Sequence, residues 1–168
     1  MLVVSDASPL NILIRIGYVD VLAKLFEAVA IPQAVADEMS QPSTPDPVRQ
    51  WMASPPSWLS VRQPSNPVDP SASHHRGETD AIALAIEIGA DAILLDEAKP
   101  RRDAQALGLV VIGTVRILER AADAGLIPDL AVAHDRVRAS DFRIRPEILD
   151  ASLQRHLAGR NPLGQDGG

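Results

Sequence analysis

The chain has 168 residues, 46% hydrophobic and 23% charged, which fits one globular domain rather than two. Its 16 basic and 22 acidic side chains leave a formal net charge of −6, which excludes a protein that coats nucleic acid through bulk positive charge; any such contact must be local. The absence of cysteine excludes disulfides, thiolate zinc sites and cysteine nucleophiles, and fits a reducing compartment.

The chain opens Met1-Leu2-Val3-Val4-Ser5-Asp6, without the basic flank and long apolar run of a signal peptide. The longest apolar stretch, Leu107 to Ile112, is far short of the ~20 residues a membrane helix needs. A soluble, cytoplasmic protein with no membrane partner is expected.

Short Val/Ile/Leu-rich runs alternate with segments of helical periodicity, the mark of βαβ units and a parallel sheet covered on both faces. The first strand is expected at Leu2–Ser5. Ser8-Pro9 then reads as an N-cap hydroxyl followed by a proline at the first helical position, where its missing N–H is no loss. A helix over Val19–Leu25, a strand over Ala28–Ile31 and a helix over Pro32–Met39 follow. Nine of the 14 prolines fall in residues 32–70, which rules out a long helix there; a short strand fits Trp58–Val61 and a Pro/Ser-rich surface loop fits Pro64–Ser73.

From Glu78 to Ile88 an apolar set (Ala81, Ile82, Leu84, Ala85, Ile86, Ile88) predicts a helix packed on the sheet and stopped by Gly89. Strands at Ala92–Leu95 and Val110–Ile112 flank a helix over Arg101–Leu107. Helices over Thr114–Ala124, Asp129–Ala139 and Pro146–His156 form a C-terminal extension, residues 126–158 beyond a main unit of 1–125, and residues 159–168 read as a frayed tail. Residues 1–98 carry 5 basic and 13 acidic side chains, whereas 99–160 carry 11 and 8, so the two parts are suited to different work.

Asp6 and Asp96 each follow a short apolar strand, at the carboxyl edge where open α/β sheets bind ligands. Asp80 heads the row Asp80–Leu84–Ile88 at i, i+4 and i+8 and so points toward the sheet. Glu38 lies three residues beyond Val35, near the edge of its helix's buried face. Singly each has a plain explanation: Asp80 and Glu78 suit a helix's first turn, Asp6 and Asp96-Glu97 suit turns, and Glu38 suits a solvated helix end.

Jointly they are hard to explain as packing. Two unit charges ~4 Å apart at an effective dielectric of ~20 repel by about 4 kcal/mol. A hard divalent cation, Mg²⁺ or Mn²⁺, prefers an all-oxygen ligand set, and one or two such ions would activate water and stabilise a leaving oxygen in phosphodiester hydrolysis.

Other candidates are weaker. His74-His75 lacks a second ligand cluster at metal spacing, and His134 and His156 read as solvent-facing helix residues. The chain contains no G-x-G-x-x-G, phosphate-loop or G-x-S-x-G motif, and its five aromatics are too few for a base-stacking platform.

The segments V-S-D-A-S-P-L at 4–10, I-P-Q-A-V-A-D-E at 31–38, G-E-T-D-A-I-A-L-A at 77–85, A-I-L-L-D-E at 92–97 and G-L-V-V-I-G-T at 108–114 together resemble PIN-domain proteins. The likeness is greatest to a bacterial and archaeal branch of predicted nucleic-acid-binding proteins related to VapC-type toxins. The resemblance spans residues 2–125 and continues through Leu126-Ile127-Pro128 to His156.

It implies a five-stranded parallel sheet in the order 3-2-1-4-5 and an acidic Mg²⁺ or Mn²⁺ site that cleaves RNA. Carried over by position, Asp6, Glu38, Asp80 and Asp96 match the family's acidic quartet, Ser8 its small hydroxyl residue, and Glu78 and Glu97 are extra acids. That branch often has Glu where Asp80 stands, whereas VapC-type sequences have Asp.

Lys99, Arg101 and Arg102 are expected either to touch substrate phosphates or to form a solvated helix face. The resemblance also implies a small antitoxin partner and a homodimer. A non-catalytic module binding RNA or protein is the alternative. A receiver-like phosphoacceptor is disfavoured, since an acidic pair after the first strand and a lysine after the fifth are both lacking: the chain has the single Asp6 and Ile112-Gly113-Thr114.

Overall fold

The computed structural model describes residues 1–67 and 76–160. His74-His75, most of the Pro/Ser-rich segment and residues 161–168 lie outside the described part. The five strands are β1 (Leu2–Ser5), β2 (Ala28–Pro32), β3 (Leu59–Arg62), β4 (Ala92–Leu94) and β5 (Val111–Ile112). The helices are α1 (Ala7–Ile16), α2 (Val21–Leu25), α3 (Gln33–Met39), α4 (Asp46–Ala53), α5 (Arg76–Glu87), α6 (Ala98–Ala106), α7 (Thr114–Asp123), α8 (Leu130–Ala139) and α9 (Pro146–Arg160). No helix among the described residues is long and apolar enough to cross a membrane.

The strands form one parallel sheet in the order β3-β2-β1-β4-β5, as the resemblance implied. Strand order reverses between β1 and β4, which pair with Val4 opposite Ile93 and Ser5 opposite Leu94. That junction is the topological switch point, the place beyond whose carboxyl ends open α/β sheets bind ligands.

The strands are short and almost wholly apolar because helices cover both faces. On one face Val4, Ala30, Ile93 and Leu95 pack with Ala81, Leu84 and Ala85 of α5 and Ala104 of α6. Small alanines on α5 let that helix lie close to the sheet, which carries its first turn to the end of β1. Gly89, at φ +62°, ends the helix with the Ala90 N–H on the Ala85 carbonyl, a left-handed stop that costs a glycine nothing.

Two compact units divide the chain, Met1–Thr114 and Val115–Gly168. The first holds the whole sheet and the second most of α7 with α8 and α9.

The structure differs from several sequence expectations. Ser8 does not cap α1: the helix begins at Ala7, Asp6 occupies the cap position, and the Ser8 hydroxyl bonds instead to Asp96. Ile86 is half exposed rather than packed on the sheet. The proline-rich stretch holds the short helix α4, with Pro47 in its first turn, where proline is tolerated. The last helix runs on through Gly159 and Arg160.

His134 and His156 are buried, not solvent-facing. His134 falls on the inward row Leu130, Ala133, His134, Val137 of α8. Burial first, and then the Arg138 charge, push its pKa below the usual histidine range, so it stays neutral. The His156 ring Nδ1 lies 2.6 Å from an Asp123 carboxylate oxygen, which gives the buried ring a polar partner.

Candidate metal and nucleic-acid site

Asp6 is the first residue beyond β1 and is almost fully buried. Its backbone N–H donates to the Leu94 carbonyl at 3.1 Å, so it is fixed to the neighbouring strand's end. Glu38 reaches the same place from α3, and Gly77 of α5 is where they meet. A methyl group at Gly77 would lie 2.9 Å from Glu38 Oε2 and 3.5 Å from Asp6 Oδ1. The two carboxylate oxygens are therefore no farther apart than these distances combined, and a side chain at residue 77 would displace the Glu38 carboxylate. Asp80, one turn further on the same buried face of α5, is fully inaccessible to solvent.

Burial is the main reason that the Asp6 pKa rises from 3.8 to about 7. The Ala7 N–H opposes the rise, and the charges of Glu38, Glu78 and Glu97 add to it. Burial and then the Glu97 charge push the Glu38 carboxyl upward as well. Electrostatics thus ties Asp6, Glu38, Glu78 and Glu97 into one acidic site drawn from β1, α3, α5 and the loop before α6. A concavity of about 160 Å³ opens beside Glu78 and Glu97, with Ile82 and Pro100 as apolar walls.

Asp96 is placed differently. Its Oδ2 accepts hydrogen bonds from the Thr114 hydroxyl at 2.7 Å and the Ser8 hydroxyl at 3.1 Å, and its Oδ1 accepts from the Thr114 N–H at 2.8 Å. Burial raises its pKa; these bonds and the Arg101 charge offset only part of the rise. Among the described residues, no group of three or more His, Cys, Asp or Glu side chains stands at distances that would hold a metal ion. The fold thus brings Asp6 and Glu38 together over Gly77, buries Asp80 one turn further along α5, and directs Asp96 toward Thr114 and Ser8.

The basic stretch divides. Lys99 is largely exposed and pairs with Asp103 at 2.8 Å, and Arg102 is exposed. Arg101 turns inward, donating from Nη1 to the Leu95 carbonyl at 2.9 Å.

A family model described as a PIN domain matches residues 2–157. The chain belongs to the PIN-domain family. Members of this family share a nuclease-type fold, and the sheet order agrees with it. Among curated proteins none matches the chain.

Three residues of this PIN domain's site escape a reading of the sequence. Thr114 stands two residues beyond β5, near the same carboxyl edge of the sheet as Asp6, and that placement is the available signal. Gly77 and Gly113 stand within the family-like segments, but only coordinates show that carboxylates and a guanidinium press on them. Gly77→Ala is expected to push Glu38 aside; were Glu38 to hold a divalent cation, Mn²⁺ binding would weaken by about 10–100-fold. Isothermal titration with Mn²⁺ checks this, and affinity equal to that of the unaltered protein would remove Glu38 from the site.

Proposed function

We propose that this protein is a Mg²⁺- or Mn²⁺-dependent endoribonuclease, with Asp6, Glu38, Asp80 and Asp96 as the metal-holding acids and Glu78 and Glu97 beside them. The observation that carries this reading is the meeting of Asp6 and Glu38 over the side-chain-free Gly77 at the end of β1. An all-oxygen, all-carboxylate donor set fits a hard divalent cation and no softer metal. When bound, such an ion would supply an activated water and charge stabilisation at the scissile phosphate.

The chain's own residues supply the rest. Asp6, with its raised pKa, would have to give up a proton to hold a cation, so binding would strengthen as pH rises through about 7. Thr114 and Ser8 hold the Asp96 carboxylate. Lys99 and Arg102, both exposed, would meet phosphates of an RNA strand that the acids alone would repel. By its likeness to VapC-type proteins, we assign the chain as the toxin of a cytoplasmic toxin–antitoxin pair, a homodimer silenced by a small partner that covers the acids.

The purified protein is expected to cut single-stranded RNA with Mn²⁺ and not with EDTA, and Asp96→Asn is expected to lose that activity while remaining folded, as circular dichroism checks. Cleavage that survives Asp96→Asn would overturn the assignment. The lack of a three-carboxylate group at metal-holding distance among the described residues favours a second reading, a PIN-fold module that binds RNA without cutting it. Measurable RNA binding with no cleavage in Mn²⁺ would select that reading.

A further inference from the structure

The ladder between β4 and β5 departs from the regular parallel pattern at its last rung. In a parallel pair, a residue whose N–H reaches the partner strand accepts at its own carbonyl the N–H two residues beyond that acceptor. Ile93 donates to the Val110 carbonyl at 2.8 Å and Leu95 to the Ile112 carbonyl at 3.1 Å. The regular donor to the Leu95 carbonyl would therefore be the Thr114 N–H. Thr114 instead donates to Asp96 Oδ1 at 2.8 Å, and the Leu95 carbonyl takes Arg101 Nη1 at 2.9 Å.

Gly113 sits in this exchange. A methyl group there would lie 2.6 Å from Arg101 Nη1, 3.4 Å from Asp96 Oδ1 and 3.6 Å from the Leu95 carbonyl oxygen. Its φ is not in the left-handed region, so the position needs glycine for space rather than for backbone freedom.

We infer that Arg101 is a positioning residue for Asp96: its guanidinium takes the place of the Thr114 N–H at the Leu95 carbonyl, frees that N–H to hold the carboxylate, and enters through the gap left by Gly113. A backbone carbonyl at a sheet's end requires a donor. Without the guanidinium, the nearest regular donor is the Thr114 N–H, and its return to the ladder takes one hydrogen bond from Asp96 Oδ1. Arg101 is thus set apart from Lys99 and Arg102, which face outward on the same helix.

The catalytic consequence rests on the nuclease reading, but the exchanged rung does not, and the experiment separates them. Arg101→Met removes the donor; Gly113→Ala keeps every charge and only fills the seat. Each is expected to lower Mn²⁺ affinity by about 10–100-fold and to reduce kcat with the RNA KM little changed. The double variant is expected to be no worse than the more severe single one, because both break the same contact.

Independently of metal or RNA, the Thr114 amide resonance of the unaltered protein is expected to move on Asp96→Asn. In the Arg101→Met background it is expected to stay still. A Thr114 amide that still responds to Asp96→Asn in that background overturns the proposal. So does a rise in RNA KM with Mn²⁺ affinity unchanged, which would make Arg101 a phosphate clamp. If the unaltered protein takes up no Mn²⁺ while the amide behaves as described, the nuclease reading falls and the exchanged rung stands.

Discussion

Replacing Asp6 with asparagine is expected to abolish RNA cleavage and, in the same protein, to make the metal-free fold more stable. On the proposed nuclease reading, the first effect follows from removing one of the carboxylates that would hold the ion at the end of β1. Charge stabilisation by a bound ion is worth several kcal/mol, and each ~1.36 kcal/mol is tenfold in rate, so a fall of roughly a thousandfold is expected. The second follows from burial. Asp6 is 5% exposed, and its pKa rises from 3.8 to about 7 on folding, chiefly through lost solvation.

A carboxyl whose folded pKa lies above its unfolded one favours the native state most below the unfolded value, and that favour is lost as pH climbs through the folded value. The metal-free protein is therefore expected to lose stability between pH 4 and pH 7, with Glu38 and Asp96 acting in the same direction. Each tenfold change in proton affinity is worth ~1.36 kcal/mol, so the cost of ionising Asp6 in the fold comes to about 4 kcal/mol. Asparagine should recover about 2–4 kcal/mol of that at pH 8. Urea unfolding in EDTA at pH 5 and pH 8 measures this. Equal midpoints for Asp6→Asn and the unaltered protein at pH 8 would mean that the carboxylate is solvated and the acidic site does not exist as described.

That trade is the usual sign of a functional group kept against the interest of the fold. It also explains which parts of the site are legible in the sequence. Asp6 and Asp96 can be read because an apolar run ending in a carboxylate marks a strand's edge whatever the rest of the chain does. Asp80 can be read because its helix repeats at i, i+4 and i+8, and it proves fully buried.

Ser8 cannot. A serine before a proline has the local pattern of a helix cap, and its partner Asp96 lies 88 residues away, beyond any local rule. Arg101 looks like Lys99 and Arg102 because a basic run carries no mark of which member turns inward. His134 is legible in principle, since it shares the row of Leu130, Ala133 and Val137. His156 is not, because the buried row of α9, Leu149, Ser152 and His156, is largely polar and leaves no apolar period to follow.

Removing Glu119 is expected to destabilise the Val115–Gly168 unit by about 2 kcal/mol, with a pH dependence opposite in sign to that of Asp6. Glu119 lies on α7 and is 2% exposed. From α9, Arg155 donates to it with Nε at 3.1 Å and Nη2 at 2.8 Å, and Arg116 adds a further bond from within α7. Burial alone would raise the Glu119 pKa, but the Arg155 hydrogen bonds, the nearby Ser152 hydroxyl and the charges of both arginines outweigh it and hold the carboxyl below its usual range.

Breaking a fully buried pair costs about 3–5 kcal/mol. Both arginines are about half exposed and regain water when the acid is lost, which brings the figure down. A carboxyl with a lowered folded pKa contributes stability above its unfolded value of 4.5, lost as pH falls through the folded one.

The deficit of Glu119→Ala should therefore be full at pH 7 and shrink toward pH 3, whereas the gain of Asp6→Asn should be full at pH 8 and vanish toward pH 4. Urea midpoints of the two variants across that range test both signs in one series. A Glu119→Ala deficit that stayed constant down to pH 3 would assign its cost to the cavity rather than to the charge.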